Sequence, residues 1–177
     1  MDSVMGIRGL KTFDTEKAIE VVLYLAKNAP EPDIYHILKI IYFSDRKHLE
    51  RYGRLLYGDC YVAMRHGPVP STTYDIIKYV RGDGFFSFSD HARKSFEVNG
   101  EKVSPLRKPY LDLLSESDIE CLNEAIKEYG NLSFPELRRL SHDAAYKSAK
   151  ENDVISIENI AKSLQDGDLL IKHLNDF

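Results

Sequence analysis

Apolar residues recur at helical intervals in the first third of the chain. The run from Ala18 to Ala26 is apolar on nearly every side, which is typical of a helix that lies inside a core. Asp14 precedes the run and can act as an N-cap by accepting hydrogen bonds from the first turn, while the prolines of segment 28–32 end it. We therefore predict a central helix over residues 15–27.

The next stretch has one apolar helical face that contains a carboxylate. Asp33 is a candidate cap, and Gly53 is placed to end the helix. Six residues at steps of three and four share one face of this helix: Ile34, Leu38, Ile41, Asp45, Leu49 and Tyr52. An unpaired carboxylate there would lose its hydration at a cost of several kcal/mol. We therefore expect Asp45 to bind an amide, a tyrosine hydroxyl or an arginine, with the turn at 65–67 as a source of donors.

Strand-forming residues follow this helix. Residues 59–66 predict an edge strand, which a Gly-Pro-Val-Pro turn at 67–70 ends. Ser71 is a candidate cap for a helix that reaches Val80. The pair Asn99-Gly100 is typical of a type I′ hairpin, which needs two positive φ angles. These signals together predict a small sheet of about three strands.

The second half of the chain has the pattern of helices again. Three pairs match the capping box, in which a serine is followed three residues later by a carboxylate: Ser115 with Asp118, Ser117 with Glu120, and Ser133 with Glu136. Further helical pieces are expected over 143–150 and 156–164, and an amphipathic tail follows at 168–177.

These elements predict a mainly α (α+β) fold. We expect a bundle of about six to seven helices with a small antiparallel β element of about two to three strands. Residues 1–177 would form a single domain, with its core at about 15–150 and a C-terminal helical tail at 156–177.

Composition narrows the class of protein without indicating an activity. The chain has 177 residues, of which 43% are hydrophobic and 29% charged, so it can bury a core without disulfides or metal. No apolar run approaches the roughly 18 residues that a membrane span needs. Residues 1–14 lack the apolar centre of a secretory signal. We therefore expect a cytoplasmic protein without membrane association.

The charge distribution disfavours a nucleic-acid partner. The net charge is −4 at pH 7, whereas binding to a phosphate backbone needs a concentrated positive surface. Five cations lie on the second predicted helix or directly after it: Lys39, Arg46, Lys47, Arg51 and Arg54. Asp45 and Glu50 dilute this charge. A nucleic-acid-binding regulator stays as an alternative, and a steep loss of affinity with salt would identify it.

Few residues have the spacing of a catalytic or metal site. The cysteines, Cys60 and Cys121, form no CxxC pair, and the sequence has no HExxH, GxSxG, P-loop or GxGxxG motif. His48 follows Asp45 by three positions, so the carboxylate could orient the imidazole. A hydrolase or metal enzyme that uses Asp45, His48 and His66 is a further alternative. No third group stands at matching helical spacing, so we predict no enzyme, no cofactor and no metal.

Tyrosine is the most unusual feature of the composition. The chain has eleven tyrosines and no tryptophan. Six of the tyrosines lie close together in the sequence, within residues 42–79: Tyr42, Tyr52, Tyr57, Tyr61, Tyr74 and Tyr79. Tyrosine supplies a large contact area and a wet hydroxyl, which suits an interface, although the rim of a core would also use it. Four arginines accompany them and complete the composition of a protein-binding surface: Arg46, Arg51, Arg54 and Arg65.

Two long segments resemble a known family. Residues 39–75 (KIIYFSDRKHLERYGRLLYGDCYVAMRHGPVPSTTYD) and 114–146 (LSESDIECLNEAIKEYGNLSFPELRRLSHDAAY) are similar to the two sequence blocks of the Panacea domain. This domain occurs in SocA-like antitoxins and in phage-associated proteins. The resemblance extends over about residues 15–150, and it includes Tyr42-Phe43, Asp45-Arg46 and the Gly-Pro-Val-Pro segment.

The Panacea resemblance implies several helices with a small β element, and it implies a protein partner. Such a chain would neutralise a protein toxin encoded by a neighbouring gene through direct binding. Some relatives are described as adaptors that hand a toxin to a protease complex. A homodimer through an exposed strand edge and the tyrosines is a further expectation.

The expected contact residues lie on the second predicted helix and around the Gly-Pro-Val-Pro turn. They are Tyr42, Arg46, His48, Arg51, Tyr52, Arg65, His66 and Tyr74. A second set is expected to hold this surface in shape: Asp45, Gly53, Asp59, Gly67, Pro68, Pro70 and His142. Aromatic and arginine side chains would then supply most of the affinity.

Overall fold

The structure is a computed structural model that describes residues 12–176. The expectation about a secretory signal concerns residues 1–14 and therefore lies mostly outside the described residues. Nine helices form within the described range: α1 (Thr15–Asn28), α2 (Ile34–Tyr52), α3 (Ser71–Arg81), α4 (Asp90–Ser95), α5 (Glu116–Tyr129), α6 (Phe134–Ser141), α7 (Ala144–Lys147), α8 (Ile157–Lys162) and α9 (Gly167–Asn175). Five strands accompany them: β1 (Tyr61–Met64), β2 (Gly67–Pro70), β3 (Phe96–Asn99), β4 (Lys102–Pro105) and β5 (Val154–Ile155).

The predicted class, mainly α with a small β element, is confirmed. The described range has more helices than predicted: the pattern did not indicate α4, which has six residues, whereas α7 lies within the helical piece expected over 143–150. A helix as short as α4 has too few apolar positions for a periodic pattern to reveal it.

The long helix α2 lies at the centre of the fold. It packs against α1, α3, α5, α6, α8 and β2. Asp33 caps it by accepting a hydrogen bond from the His36 amide at 2.8 Å, and Gly53 follows its last residue with a φ of 71°. In α1, Asp14 likewise accepts from the Lys17 amide at 3.0 Å. The pattern of caps and apolar residues therefore predicted both helices correctly.

The strand β1 is the central strand of a three-stranded antiparallel sheet with the order β2-β1-β5. The predicted edge strand is therefore wrong, and so is the predicted Gly-Pro-Val-Pro turn, which forms β2. Pro68 and Pro70 lie opposite Ala63 and Tyr61. Because proline cannot donate a hydrogen bond to a neighbouring strand, β2 fits only at an edge of the sheet. With β5 on its other side, β1 has no open edge for the expected homodimer contact.

The strands β3 and β4 form a separate antiparallel hairpin, so the predicted single sheet of three strands is wrong. Asn99 pairs with Lys102, which leaves Gly100 and Glu101 as the turn residues. Gly100 has a φ of 62°, whereas Asn99 has no positive φ. One positive φ at the first turn residue is the type II′ pattern. The hairpin was predicted correctly, but its turn lies one residue later than expected.

The start of α3 is capped by a residue outside the helix. Asp59 accepts hydrogen bonds from the amides of Thr72 at 3.0 Å and Thr73 at 2.8 Å. Ser71, the predicted cap, instead donates its hydroxyl to the Cys60 carbonyl oxygen at 2.9 Å. Asp59 therefore connects the segment before β1 to the start of α3, and no local pattern could have indicated this.

Two of the three predicted capping boxes form in the second half of the described chain, whereas Ser117 lies inside α5 and contacts His48. Ser115 with Asp118 forms a complete capping box at α5, and Ser133 with Glu136 forms one at α6. The tail helix α9 contributes the buried Leu174. Among residues 12–176, every helix is too short or too polar to span a bilayer.

Candidate functional site

Asp45 connects α2 to the segment that follows it. The side chain is 2% exposed. Its Oδ1 accepts a hydrogen bond from the Leu56 amide at 2.7 Å, and its Oδ2 accepts one from the Tyr61 hydroxyl at 2.5 Å. An amide and a tyrosine hydroxyl were among the expected donors, but the turn at 65–67 supplies neither of them. Burial raises the pKa of Asp45 to about 7, because desolvation disfavours the charged carboxylate.

A groove of about 760 Å³ opens between the start of α2, the sheet and the start of α6. This volume lies within the roughly 300–1,000 Å³ that is usual for ligand pockets. Much of the lining is apolar or aromatic, including Ile34, Leu38, Met64, Val69, Tyr74 and Phe134. The groove therefore offers a concave apolar surface on the part of α2 that is closest to its N terminus.

Three aromatic side chains, Tyr35, His66 and Phe134, form one edge of the groove, and we call them the aromatic rim. The rings of Tyr35 and Phe134 have centroids 4.4 Å apart, and the His66 ring lies 5.2 Å from Phe134. The Tyr35 hydroxyl donates to the His66 carbonyl oxygen at 3.0 Å. Burial raises the pKa of Tyr35 to about 12, so the hydroxyl keeps its proton at neutral pH.

Lys39 closes the floor of the groove. The side chain is 1% exposed, and its Nζ donates to the Pro68 carbonyl oxygen at 2.8 Å. Burial lowers the pKa of this amine to about 7. Gly67 has a φ of 122°, and a Cβ there would lie 2.9 Å from Lys39 Cε and 2.6 Å from Ser141 Oγ. Only glycine tolerates this positive φ and also lacks the Cβ that would clash, so Gly67 leaves room for the Lys39 side chain.

The predicted contact residues divide into three groups. Three of them line the groove: Arg65, His66 and Tyr74. Tyr42 and His48 are both 0% exposed, so their assignment to an exposed surface is wrong. Because other elements pack against α2 on several sides, most of the surface of this helix is buried. The Tyr42 hydroxyl, for example, donates to the Asp143 carboxylate at 2.7 Å.

The third group lies toward the other end of α2, a helix about 28 Å long at 1.5 Å per residue. It consists of Arg46, Arg51 and Tyr52, and glutamates of α5 bind the last two. Arg51 donates to Glu124 at 2.6 Å and to Glu120 at 2.9 Å, and Tyr52 donates to Glu120 at 2.8 Å. Arg46 donates to Ser163 at 2.7 Å. The single surface expected from the sequence is therefore two regions, and α5 neutralises the basic one.

The predicted supporting residues lie in α2 or β2, or next to α2, β1 or α6. Gly53 follows α2, and His142 follows α6, where its Nδ1 is 2.5 Å from the Arg138 carbonyl oxygen. Sequence reasoning did not select Tyr35, Lys39 or Phe134 for the site. Phe134 is 42% exposed, but an apolar residue in the first turn of a helix is equally typical of a core position.

The alternative catalytic residues are not brought together. Asp45 binds Leu56 and Tyr61, whereas His48 lies 2.9 Å from both the Arg54 carbonyl oxygen and Ser117 Oγ. His66 belongs to the aromatic rim. Across residues 12–176, no hydrogen bond or ion pair joins any two of Asp45, His48 and His66. The arrangement therefore provides no nucleophile and base in contact from this set.

One cluster in the described range has the spacing of metal ligands. Donor atoms of Glu31, Asp33 and His36 all lie within 4.8 Å of one another. The His36 Nδ1 is 2.6 Å from Asp33, and its Nε2 is 2.8 Å from the Leu132 carbonyl oxygen. The hydrogen bond with Asp33 raises the pKa of His36. Both ring nitrogens face acceptors, so the imidazolium form satisfies them and leaves no lone pair for a metal.

The fold and the groove define a mainly helical protein with a preformed apolar surface. A family model described as the SocA-like antitoxin, Panacea domain, matches residues 37–147, which is more than half of the chain. The chain therefore belongs to the SocA-like antitoxin family. The matched range begins in α2 and ends with α7, and it contains Lys39, His66 and Phe134. Searches among curated proteins and among solved structures gave no significant match.

Proposed function

We propose that this chain is a cytoplasmic, non-enzymatic antitoxin that neutralises a protein toxin, encoded by a neighbouring gene, by binding it in the groove. The observation that carries the proposal is the aromatic rim beside an open apolar groove, in a chain of an antitoxin family. Aromatic side chains in well-packed pockets dominate the energy of protein interfaces.

The rim is already ordered before a partner binds. Tyr35 is held through its hydrogen bond to the His66 carbonyl oxygen, and Phe134 packs on both rings. Ordering a mobile side chain costs about 0.5–1.5 kcal/mol on binding, so preformed packing leaves more of the contact energy for affinity. The basic end of α2 is a poorer docking surface, because Lys47 and Arg51 would have to give up their ion pairs with glutamates of α5.

The proposal predicts that Phe134→Ala weakens toxin binding by about 2 kcal/mol or more, which corresponds to about 30-fold in Kd. Tyr52→Ala is the matched control, because Tyr52 is 45% exposed and Phe134 is 42% exposed, but Tyr52 lies at the other end of α2. Kd is measured by titration calorimetry with the product of the adjacent reading frame, and thermal unfolding checks that both variants fold.

Growth provides the cellular test. Co-expression of the wild-type chain with the adjacent reading frame should restore growth, Tyr52→Ala should do the same, and Phe134→Ala should restore less. Failure of the wild-type chain to protect against any neighbouring product would contradict the proposal. Binding to nucleic acid with a steep loss of affinity in salt would support the regulator instead.

A further inference from the structure

The amine of Lys39 is a buried cation without an anionic partner. It has three N–H donors, and its one hydrogen bond goes to the Pro68 carbonyl oxygen. Within the described residues, Lys39 forms no ion pair, and desolvation is the cause of its lowered pKa. The Tyr35 ring, with its centroid 5.0 Å from Nζ, adds a cation–π contact but supplies no negative charge.

A buried charge of this kind is unfavourable unless something pairs with it. The same position could hold a methionine of similar length at no such cost. Lys39 lines the groove, next to apolar side chains that would exclude water from an ion pair. An occupant that brought one negative charge to this floor would therefore gain a strong, weakly screened interaction.

We propose that Lys39 binds a carboxylate of the protein partner, one that is carried next to an apolar side chain. This inference rests on the proposed function, because it names the chemistry recognised in the same groove. On binding, the lysine side chain turns from the Pro68 oxygen to a carboxylate oxygen, and the apolar neighbour packs against the aromatic rim. A phosphate fits less well, because the one amine cannot pair with both of its negative charges. The acidic residues Asp33, Glu101 and Glu151 also line the groove and would repel the second charge.

The affinity should depend on pH. Carboxylate binding requires the ammonium form, and the pKa of Lys39 is about 7 in the unoccupied groove. The protonated fraction, and with it the affinity, falls about tenfold between pH 6 and pH 8. Other ionisable groups face the groove and are common to every variant compared: Asp33, Tyr35, His36, Arg65, His66, Tyr74, Glu101 and Glu151. The part of the pH dependence of affinity that disappears in Lys39→Met is therefore due to Lys39.

The first experiment uses a small probe, so that it needs no toxin. 4-Phenylbutyrate and its uncharged amide are titrated into the full chain at pH 6 while the amide resonances are followed by NMR. The acid should shift Gly67, which lies next to Lys39, and Ser141, which lies next to Gly67, at concentrations about tenfold below those that the uncharged analogue needs. This preference should vanish in Lys39→Met. Equal or absent shifts with the two probes overturn the inference.

The second experiment uses the toxin from the adjacent reading frame. Lys39→Met should weaken its binding at least about 30-fold, as expected for loss of a buried charge pair. Lys47→Met is the control, because Lys47 is on the same helix but pairs with Glu128 at 2.8 Å. Replacing the toxin's acidic groups one at a time, with amidation of its C terminus, identifies the carboxylate.

The outcomes separate the two proposals. If the wild-type chain binds the toxin and Lys39→Met binds it equally well, carboxylate recognition is wrong and the antitoxin function stands. If the wild-type chain binds no neighbouring toxin, the antitoxin function fails, and the probe comparison alone decides whether Lys39 recognises a carboxylate. Both variants are checked by thermal unfolding, in which Lys39→Met should be at least as stable as the wild type.

Discussion

Replacing Arg107 by alanine should lower the free energy of unfolding by about 3–5 kcal/mol, the usual cost of leaving a buried charge without its partner. Glu20 is 0% exposed. Its carboxylate accepts hydrogen bonds from two Arg107 nitrogens, at 2.5 and 3.2 Å, and from the Tyr110 amide at 2.7 Å. Without the guanidinium, a carboxylate in the middle of α1 would keep one donor. Urea unfolding measures the change.

Two further variants test the cause of this loss. Arg81→Ala removes an arginine whose partners, Asp83 and Glu101, are exposed, and it should cost no more than about 1 kcal/mol. Replacing both Glu20 and Arg107 by methionine should recover most of the stability that Arg107→Ala loses, because no buried charge remains. A double variant as unstable as Arg107→Ala would show that packing, and not charge, is responsible.

The second large effect is expected at Asp45. Asp45→Ala leaves the Leu56 amide and the Tyr61 hydroxyl without their acceptor, and each buried unpaired group costs about 1–3 kcal/mol. The free energy of unfolding should therefore fall by about 2–6 kcal/mol. Asp45→Asn keeps an acceptor for Leu56 and a polar group beside Tyr61, so it should remain folded and close to the wild type at pH 5.

The dependence on pH distinguishes the ionisation of Asp45 from its hydrogen bonds. The pKa of Asp45 has its ordinary value of 3.8 in the unfolded chain and is about 7 in the folded chain. Between pH 3.8 and pH 7, the folded state therefore holds a proton that the unfolded state has lost. The wild type should therefore be most stable, relative to Asp45→Asn, below pH 4, and should lose this stability as pH rises to 7. The span is about 4 kcal/mol at 1.36 kcal/mol per pKa unit. A difference independent of pH would contradict the buried titration.

Caps and long helices were predictable because they depend on near neighbours in the sequence. Asp14, Asp33, Ser115 and Ser133 accept hydrogen bonds from amides three residues later, and a helix shows its apolar face through steps of three and four. The buried position of Asp45 followed from the same spacing.

Contacts between distant segments decided the sheet and the buried ion pair. Tyr61 in β1 pairs with Ile155, and Glu20 binds Arg107, 87 positions later. The sequence near Ile155 or Arg107 does not indicate these pairings. A strand of two residues has too short a pattern to recognise, and an arginine in a loop does not show in the sequence which carboxylate it binds. The proline-containing β2 has the sequence pattern of a turn for a similar reason, since only the position at a sheet edge makes proline acceptable in a strand.

The sequence by itself determined the long helices of this protein, most of their caps, the mainly α class, the antitoxin family and the inward position of Asp45. Only the tertiary structure decided which residues a partner can reach, because exposure depends on which element covers which. The glutamates of α5 cover the basic end of α2, where contacts were expected, and Tyr42 and His48 lie inside. The start of α2 stays open, and there Lys39 and Phe134, from segments far apart in the chain, meet in one groove.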